Sequence, residues 1–230
     1  MYIKRLILSN FKNIVSADLT FSPGINCICG DNGEGKTNLL DAVHYLSMTK
    51  SFLQSSDRFT YTYGASEATL CGTYDIDGYE EKIALSVKSQ GEKTIKKNDK
   101  AYPRISEHIG HIPVVIISPS DTSLIHDSGE ERRRFMNIVL SQTDPQYLRA
   151  MQSYNRVLQQ RNKLLKSDTP PSEILLEAFS GQLNRDADYI FRKRGELAQE
   201  LNALAAGFYA RLSDGKESIS LEYSSDLNRA

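Results

Sequence analysis

The chain has 230 residues, enough for one large domain or a core domain with a smaller attachment. Hydrophobic residues make up 40% and charged residues 25%, the balance of a soluble globular protein, and the net charge of −1 excludes a molecule that attracts nucleic acid through its overall field. No stretch approaches the ~18 apolar residues of a membrane span, no signal-peptide layout opens the chain, and the three cysteines have no metal-ligand spacing, which points to a cytoplasmic protein.

Ile3, Leu6 and Leu8 suggest a first strand, and Asp18 to Phe21 a second, closed by the turn signal Ser22-Pro23-Gly24. Ile25 to Cys29 is a short continuous apolar run ending in Gly30, the pattern of a strand buried on both faces. Cys27 and Cys29 alternate within it and are expected as small buried side chains rather than a disulfide. Leu39, Leu40, Val43 and Leu46 then recur at helical spacing over Lys36 to Leu46. Strand-like runs flank Asp77-Gly78, and Ser89 to Glu92 is a further turn, so 68–100 reads as a β-meander. Val114 to Ile117 reads as another buried strand, ended by Ser118-Pro119.

Beyond that point the periodicity is helical over 130–140, 147–166 and 172–212. In the last segment an apolar stripe runs from Leu176 to Phe208, with Arg194 in the one missing place. Asp168-Thr169-Pro170-Pro171 separates two helices expected to fold back on each other. The expected organisation is an α/β module over 1–120, a helical arm over 121–212, and over 213–230 a return that starts with a strand near Glu217 to Tyr223 and ends abruptly.

Gly30-Asp31-Asn32-Gly33-Glu34-Gly35-Lys36-Thr37 fits G-x-x-x-x-G-K-[ST]. The glycines let several N–H groups turn inward as an anion nest, and the following helix points its positive end at the same place. Lys36 is expected at the terminal phosphates and the Thr37 hydroxyl on magnesium, so ATP with Mg²⁺ is the implied ligand. Hydrolysis would also need an acidic residue at the end of another strand. Val114 to Ile117 is followed by Ser118-Pro119-Ser120-Asp121, the wrong spacing, which predicts negligible turnover by this chain. Ser180-Gly181-Gln182 looks like part of an ABC signature but lies inside a helical stripe with only helix after it, and is read as structural.

Several segments together resemble the RecF family of bacterial DNA replication and repair ATPases, related to SMC proteins and ABC ATPase heads. They are Leu6 to Ile14 with its Asn-Phe-Lys-Asn, the P-loop extended to Asn38 with Asn32 inside it, and Lys50-Ser51-Phe52. Further on are Ser118-Pro119-Ser120-Asp121 with Arg132-Arg133-Arg134-Phe135, and Gln160-Arg161-Asn162 to Lys166. Ser120 and Asn137 stand where the family usually has Glu and Asp.

The resemblance implies an ABC-ATPase-like P-loop head, a mixed sheet plus antiparallel meander, with an inserted α-helical arm. For a whole protein it implies ATP-dependent homodimerisation on duplex DNA near single-strand gaps and weak DNA-dependent ATPase activity. It further implies work with RecR and RecO-like mediators in loading the recombinase, and a part in SOS induction. Family members are longer, and their Walker B and signature motifs are expected beyond the residues present, as if this were an N-terminal fragment. Lys12 and Asn13 are candidates to reach the nucleotide, as similar positions do in SMC-type heads, or else form a polar turn. Basic runs occur at 93–100, 132–134 and 192–194; Arg132, Arg133 and Arg134 are the best DNA candidates among them, through backbone rather than base contacts. The rivals are another SMC-type head, whose coiled coil would need a longer arm, and a transporter ATPase subunit, which would carry Gln near Ile117. A P-loop kinase or GTPase would carry motifs such as Asn-Lys-x-Asp, which are absent.

Overall fold

Alternating apolar and polar residues put Leu6 and Leu8 of strand β1 (Tyr2–Phe11) on one buried face. The same alternation buries Leu70 and Tyr74 of β3 (Glu67–Ile76), and Ile83, Leu85 and Val87 of β4 (Tyr79–Lys88). With β2 (Ile14–Thr20), β5 (Lys93–Lys97) and β6 (Lys100–Ala101) these strands form one six-stranded antiparallel sheet in the order β2-β1-β3-β4-β5-β6. The register aligns Leu8 with Leu70, Leu70 with Leu85, and Leu85 with Ile95, a continuous apolar row across four strands. Asp77 and Gly78 turn the β3–β4 hairpin with φ of 53° and 88°, the left-handed pair a two-residue turn requires.

Helix α1 (Lys36–Met48) lays Leu39, Ala42, Tyr45 and Leu46 into the core cluster formed with this row. Gly72 permits the approach, since a Cβ there would stand 2.9 Å from Leu46 Cδ1. The computed structural model describes residues 1–54, 56–126, 129–167 and 171–229. The sheet and α1 belong to the first of two units, Met1–Ser118; the second is Pro119–Ala230.

Two expected strands are corrected. Residues 25–29 and 114–117 form no strand and enter no ladder, and Ile25, Val115 and Ile117 are 91%, 87% and 84% exposed. An apolar run becomes a buried strand only where neighbours pair with its backbone and cover its faces, and among the described residues no strand lies beside these two. Cys27 and Cys29, expected buried, are exposed for the same reason, and all three cysteines are free.

The second unit is helical: α2 (Ser123–His126), α3 (Gly129–Thr143), α4 (Pro145–Leu165) and α5 (Glu173–Leu212). Asp144 caps α4 by accepting the amides of Gln146 and Tyr147 at 2.8 and 3.1 Å, and Pro145 suits the first turn, where its missing N–H costs nothing. Helices α4 and α5 are antiparallel, because Tyr147 meets Arg194 while Ser153 meets Gln182. Of the proposed connecting turn, Asp168, Thr169 and Pro170 lie outside the described residues. Leu140, Tyr147, Ala150 and Ile190 form this unit's core. Arg194, the exception in the apolar stripe, donates to Tyr147 Oη at 3.1 Å and to Asn137 Oδ1 at 2.9 Å, so its charge reaches a polar niche across the helix interface. The segment expected to begin a strand near Glu217 has no ladder partner among the described residues; Leu221 N donates to Asn202 Oδ1 of α5 at 2.7 Å.

Candidate nucleotide-binding site

The loop from Gly30 to Gly35 leads straight into α1. Gly33 and Gly35 sit at φ of 92° and 94°, conformations that L side chains rarely adopt, so the curl of the loop depends on these two glycines. Among the described residues, the amides of Gly33, Gly35, Lys36 and Thr37 have no acceptor within the protein, and that of Glu34 has only Asp31 O at 3.4 Å. No side chain caps the start of α1. Unpaired amides at the positive end of a helix form a ready anion site.

Lys36 curls back over the loop and donates from Nζ to Gly30 O and Asp31 O, both at 2.7 Å. Asp31, Asn32, Glu34 and Thr37 are exposed, so the Thr37 hydroxyl is accessible at the first turn of the helix. These groups fit a magnesium–triphosphate: amides and an ammonium for the phosphate oxygens, and a neutral hydroxyl for the cation. Among the described residues there is no cluster of three or more His, Cys, Asp or Glu that could hold a metal.

Asn13 meets the loop from the β1–β2 turn. Its Nδ2 donates to Gly33 O at 3.2 Å, and its Oδ1 accepts from Asn38 Nδ2 at 2.7 Å. A Cβ on Gly35 would stand 2.8 Å from Asn13 Oδ1, so the side chain is wedged against the last glycine of the loop. Lys12, its neighbour, is placed differently. Its ammonium is 2.5 Å from Asp41 Oδ2, with the two side chains 5% and 0% exposed, and it donates to Ser51 Oγ at 3.2 Å.

Asp41 and Ser51, which no sequence motif marks as site residues, complete this network. Asp41 accepts the Phe52 amide at 2.8 Å and the Ser51 hydroxyl at 2.7 Å. The network ties the Lys50-Ser51-Phe52 segment and the β1–β2 turn to the P-loop helix. The available signal was an acidic residue at Asp41 flanked by apolar positions of α1, since a carboxylate so placed demands a buried partner. Lys93, at the edge of the same unit, pairs with Asp57 at 2.7 Å. Partial burial would raise the Asp57 carboxyl, but the Lys93 ammonium and the Tyr45 hydroxyl outweigh it and hold the group below its ordinary range.

The basic runs are largely occupied by internal contacts. Lys97 pairs with Glu81 at 2.9 Å, and Lys193 with Glu196 at 2.7 Å. In the second unit, Arg132 donates to Leu124 O at 2.9 Å and Arg134 lies 3.8 Å from Glu131. Arg133 lies near Gly129, with Nη1 3.1 Å from the Cβ that an added side chain would have there.

A family model described as an AAA domain matches residues 5–205. The chain is 42% identical over 228 residues to the DNA replication and repair protein RecF of Porphyromonas gingivalis, covering 99% of this chain and 62% of that protein. Against RecF of Bacteroides fragilis the identity is 40% over 231 residues, covering all of this chain and 62% of the relative. The chain therefore spans about three-fifths of the length of these curated relatives. A solved structure of the recombination mediator protein RecF with ATP, in the RecFOR pathway, superposes with a TM-score of 0.88 at 32% identity, covering 93% of this chain and 58% of that one. An SMC ATPase structure aligns at a TM-score of 0.51 and 23% identity over 60% of this chain and 99% of that one, a likeness of fold alone. Among the described residues no helix is long and apolar enough to cross a membrane. With a P-loop leading into α1 beside an antiparallel sheet, and with this match over most of its length, the chain belongs to the AAA-domain family, and it is similar to RecF proteins along nearly all of its residues.

Proposed function

We propose that the loop from Gly30 to Thr37 binds ATP with magnesium. Amides at 33–37 and Lys36 would take the phosphate oxygens, Thr37 the cation, and Asn13 and Asn38 would hold the loop in shape. The observation that carries this is the set of unpaired amides beside Lys36 at the start of α1. A full-length protein of this kind is proposed to act in DNA replication and gap repair. It would dimerise with ATP on duplex DNA near single-strand gaps, work with RecR and RecO-like mediators to load the recombinase, and support SOS induction in the cytoplasm. The relatives' names and the RecFOR description of the superposed structure support that reading.

The test is an equilibrium titration of ATP–Mg²⁺ into the wild-type chain and Lys36→Ala. The variant keeps the same circular dichroism but loses binding by about 100-fold or more, as expected when a desolvated charge-assisted contact is removed. Wild-type affinity in Lys36→Ala would refute the site.

A further inference from the structure

Helix α4 carries Arg149, Arg156, Arg161 and Lys163 and no acidic residue anywhere between Pro145 and Leu165, although the chain as a whole has a net charge of −1. Its buried residues Tyr147, Ala150 and Val157 face the helical core, with Met151 and Tyr154 packed beside them. Steps of three and four residues trace a different line through Arg149, Gln152, Arg156, Gln159 and Lys163 to Lys166 at the C-cap, all exposed. At 100° per residue this line lies on the side of the helix opposite the core contacts.

No ion pair joins any of these four cations to a carboxylate among the described residues. In the three basic runs Lys93, Lys97, Arg134 and Lys193 each have an acidic neighbour, while Arg133 and Arg192, like the cations of α4, have no ion-paired carboxylate among the described residues. Helix α4 therefore carries a row of cations without acidic neighbours, and these are never adjacent in sequence.

We propose that this outward face of α4 is a track for the sugar–phosphate backbone of DNA, an inference that rests on the DNA-binding reading above. Arg149, Arg156 and Lys163 follow one another at seven-residue intervals, roughly 10.5 Å along the helix. That is about three phosphate steps of one DNA strand measured along the duplex axis, at ~3.4 Å each. Gln152 and Gln159 between them offer amide donors to phosphate and sugar oxygens without adding charge. An open hollow at the C-terminal end is lined by Gln159, Asn162, Lys163, Lys166 and Ser167, with room for the last phosphate of the series. A face that presents only cations and amides, and no aromatic platform, reads backbone rather than base sequence.

The experiment is fluorescence anisotropy of a labelled 30-base-pair duplex with the chain as it stands, over 50–250 mM KCl. The triple variant Arg149→Gln/Arg156→Gln/Lys163→Gln is compared with Arg132→Gln/Arg133→Gln/Arg134→Gln, and circular dichroism verifies both folds. Removing three phosphate contacts flattens the log K against log[salt] slope by about 2.7 and weakens binding at 100 mM by about tenfold or more. The Arg132–Arg134 variant loses less than the α4 variant in both quantities. A wild-type slope in the α4 variant, or the main loss in the Arg132–Arg134 variant, overturns the track but leaves DNA binding standing. A wild-type chain that captures no duplex at 50 mM KCl overturns the track and the DNA-binding reading together. Nucleotide affinity, read separately through Lys36→Ala, is independent of either result.

Discussion

Replacing Lys12 by Met isolates what the buried ion pair beneath the P-loop contributes. Asp41 is fully buried and its ammonium partner nearly so. Lys12→Met leaves a carboxylate facing a thioether, with only the Ser51 hydroxyl and the Phe52 amide to solvate it. Breaking one side of a buried pair costs about 3–5 kcal/mol, whereas neutralising both partners is close to neutral. Against a total stability of about 5–15 kcal/mol the single variant loses a fifth or more of the native free energy. Its urea midpoint moves down by about 1 M or more. Lys12→Met/Asp41→Asn keeps an acceptor for Phe52 N and a polar partner for Ser51 while removing both charges, so its unfolding free energy returns to within about 1 kcal/mol of wild type. Because the ammonium is committed to Asp41 and Ser51, the double variant also keeps ATP affinity within about threefold, well under the tenfold that 1.4 kcal/mol would give. A single variant costing under about 1 kcal/mol, or a double variant no more stable than the single, refutes the energetic argument. A double variant that is stable yet has lost ATP shows that Lys12 itself reaches the nucleotide.

Two further outcomes follow from the same region. Gly35→Ala places a Cβ at φ 94° and 2.8 Å from Asn13 Oδ1, so it strains the loop by about 1–2 kcal/mol and expels the Asn13 amide; ATP titration should show affinity reduced by about tenfold, and an unchanged value would make the Asn13 contact irrelevant to binding. Burial holds the His108 imidazole below its ordinary 6.5, with His111 and Lys97 acting in the same direction against the hydrogen bond to Leu46 O. The unfolded chain therefore takes up a proton near pH 6.5 while the native protein does not. The His108 contribution is complete above that pH and is lost as pH falls through the lowered native value. His108→Gln, which can still donate to Leu46 O, should flatten the decline in urea midpoint between pH 6.5 and about 5. Equal slopes in variant and wild type would contradict this.

The sequence revealed most where function depends on local chemistry. The P-loop, α1 and the Asp77-Gly78 hairpin each rest on residues a few positions apart, and all were legible. Residues 25–29 and 114–117 were legible only as extended and apolar, since periodicity reports the character of a segment and not whether anything pairs with it. The Lys12–Asp41 pair joins residues 29 positions apart across two elements, and no local pattern carries that information. The charge on α4 is hidden in the sequence for a simpler reason. Adjacent basic residues catch the eye in a linear text, whereas cations seven apart converge only once the chain is wound into a helix.

The two bonds that Lys36 makes to Gly30 O and Asp31 O have a consequence for how ligand is captured. The flexible side chain is already parked at the mouth of the loop, and the glycine torsions that shape the cradle are already set. An arriving triphosphate exchanges neutral carbonyl partners for anionic ones around a cation that hardly has to travel. Little ordering entropy is then spent at the moment of capture, and the interaction energy goes into residence time rather than into building the receptor.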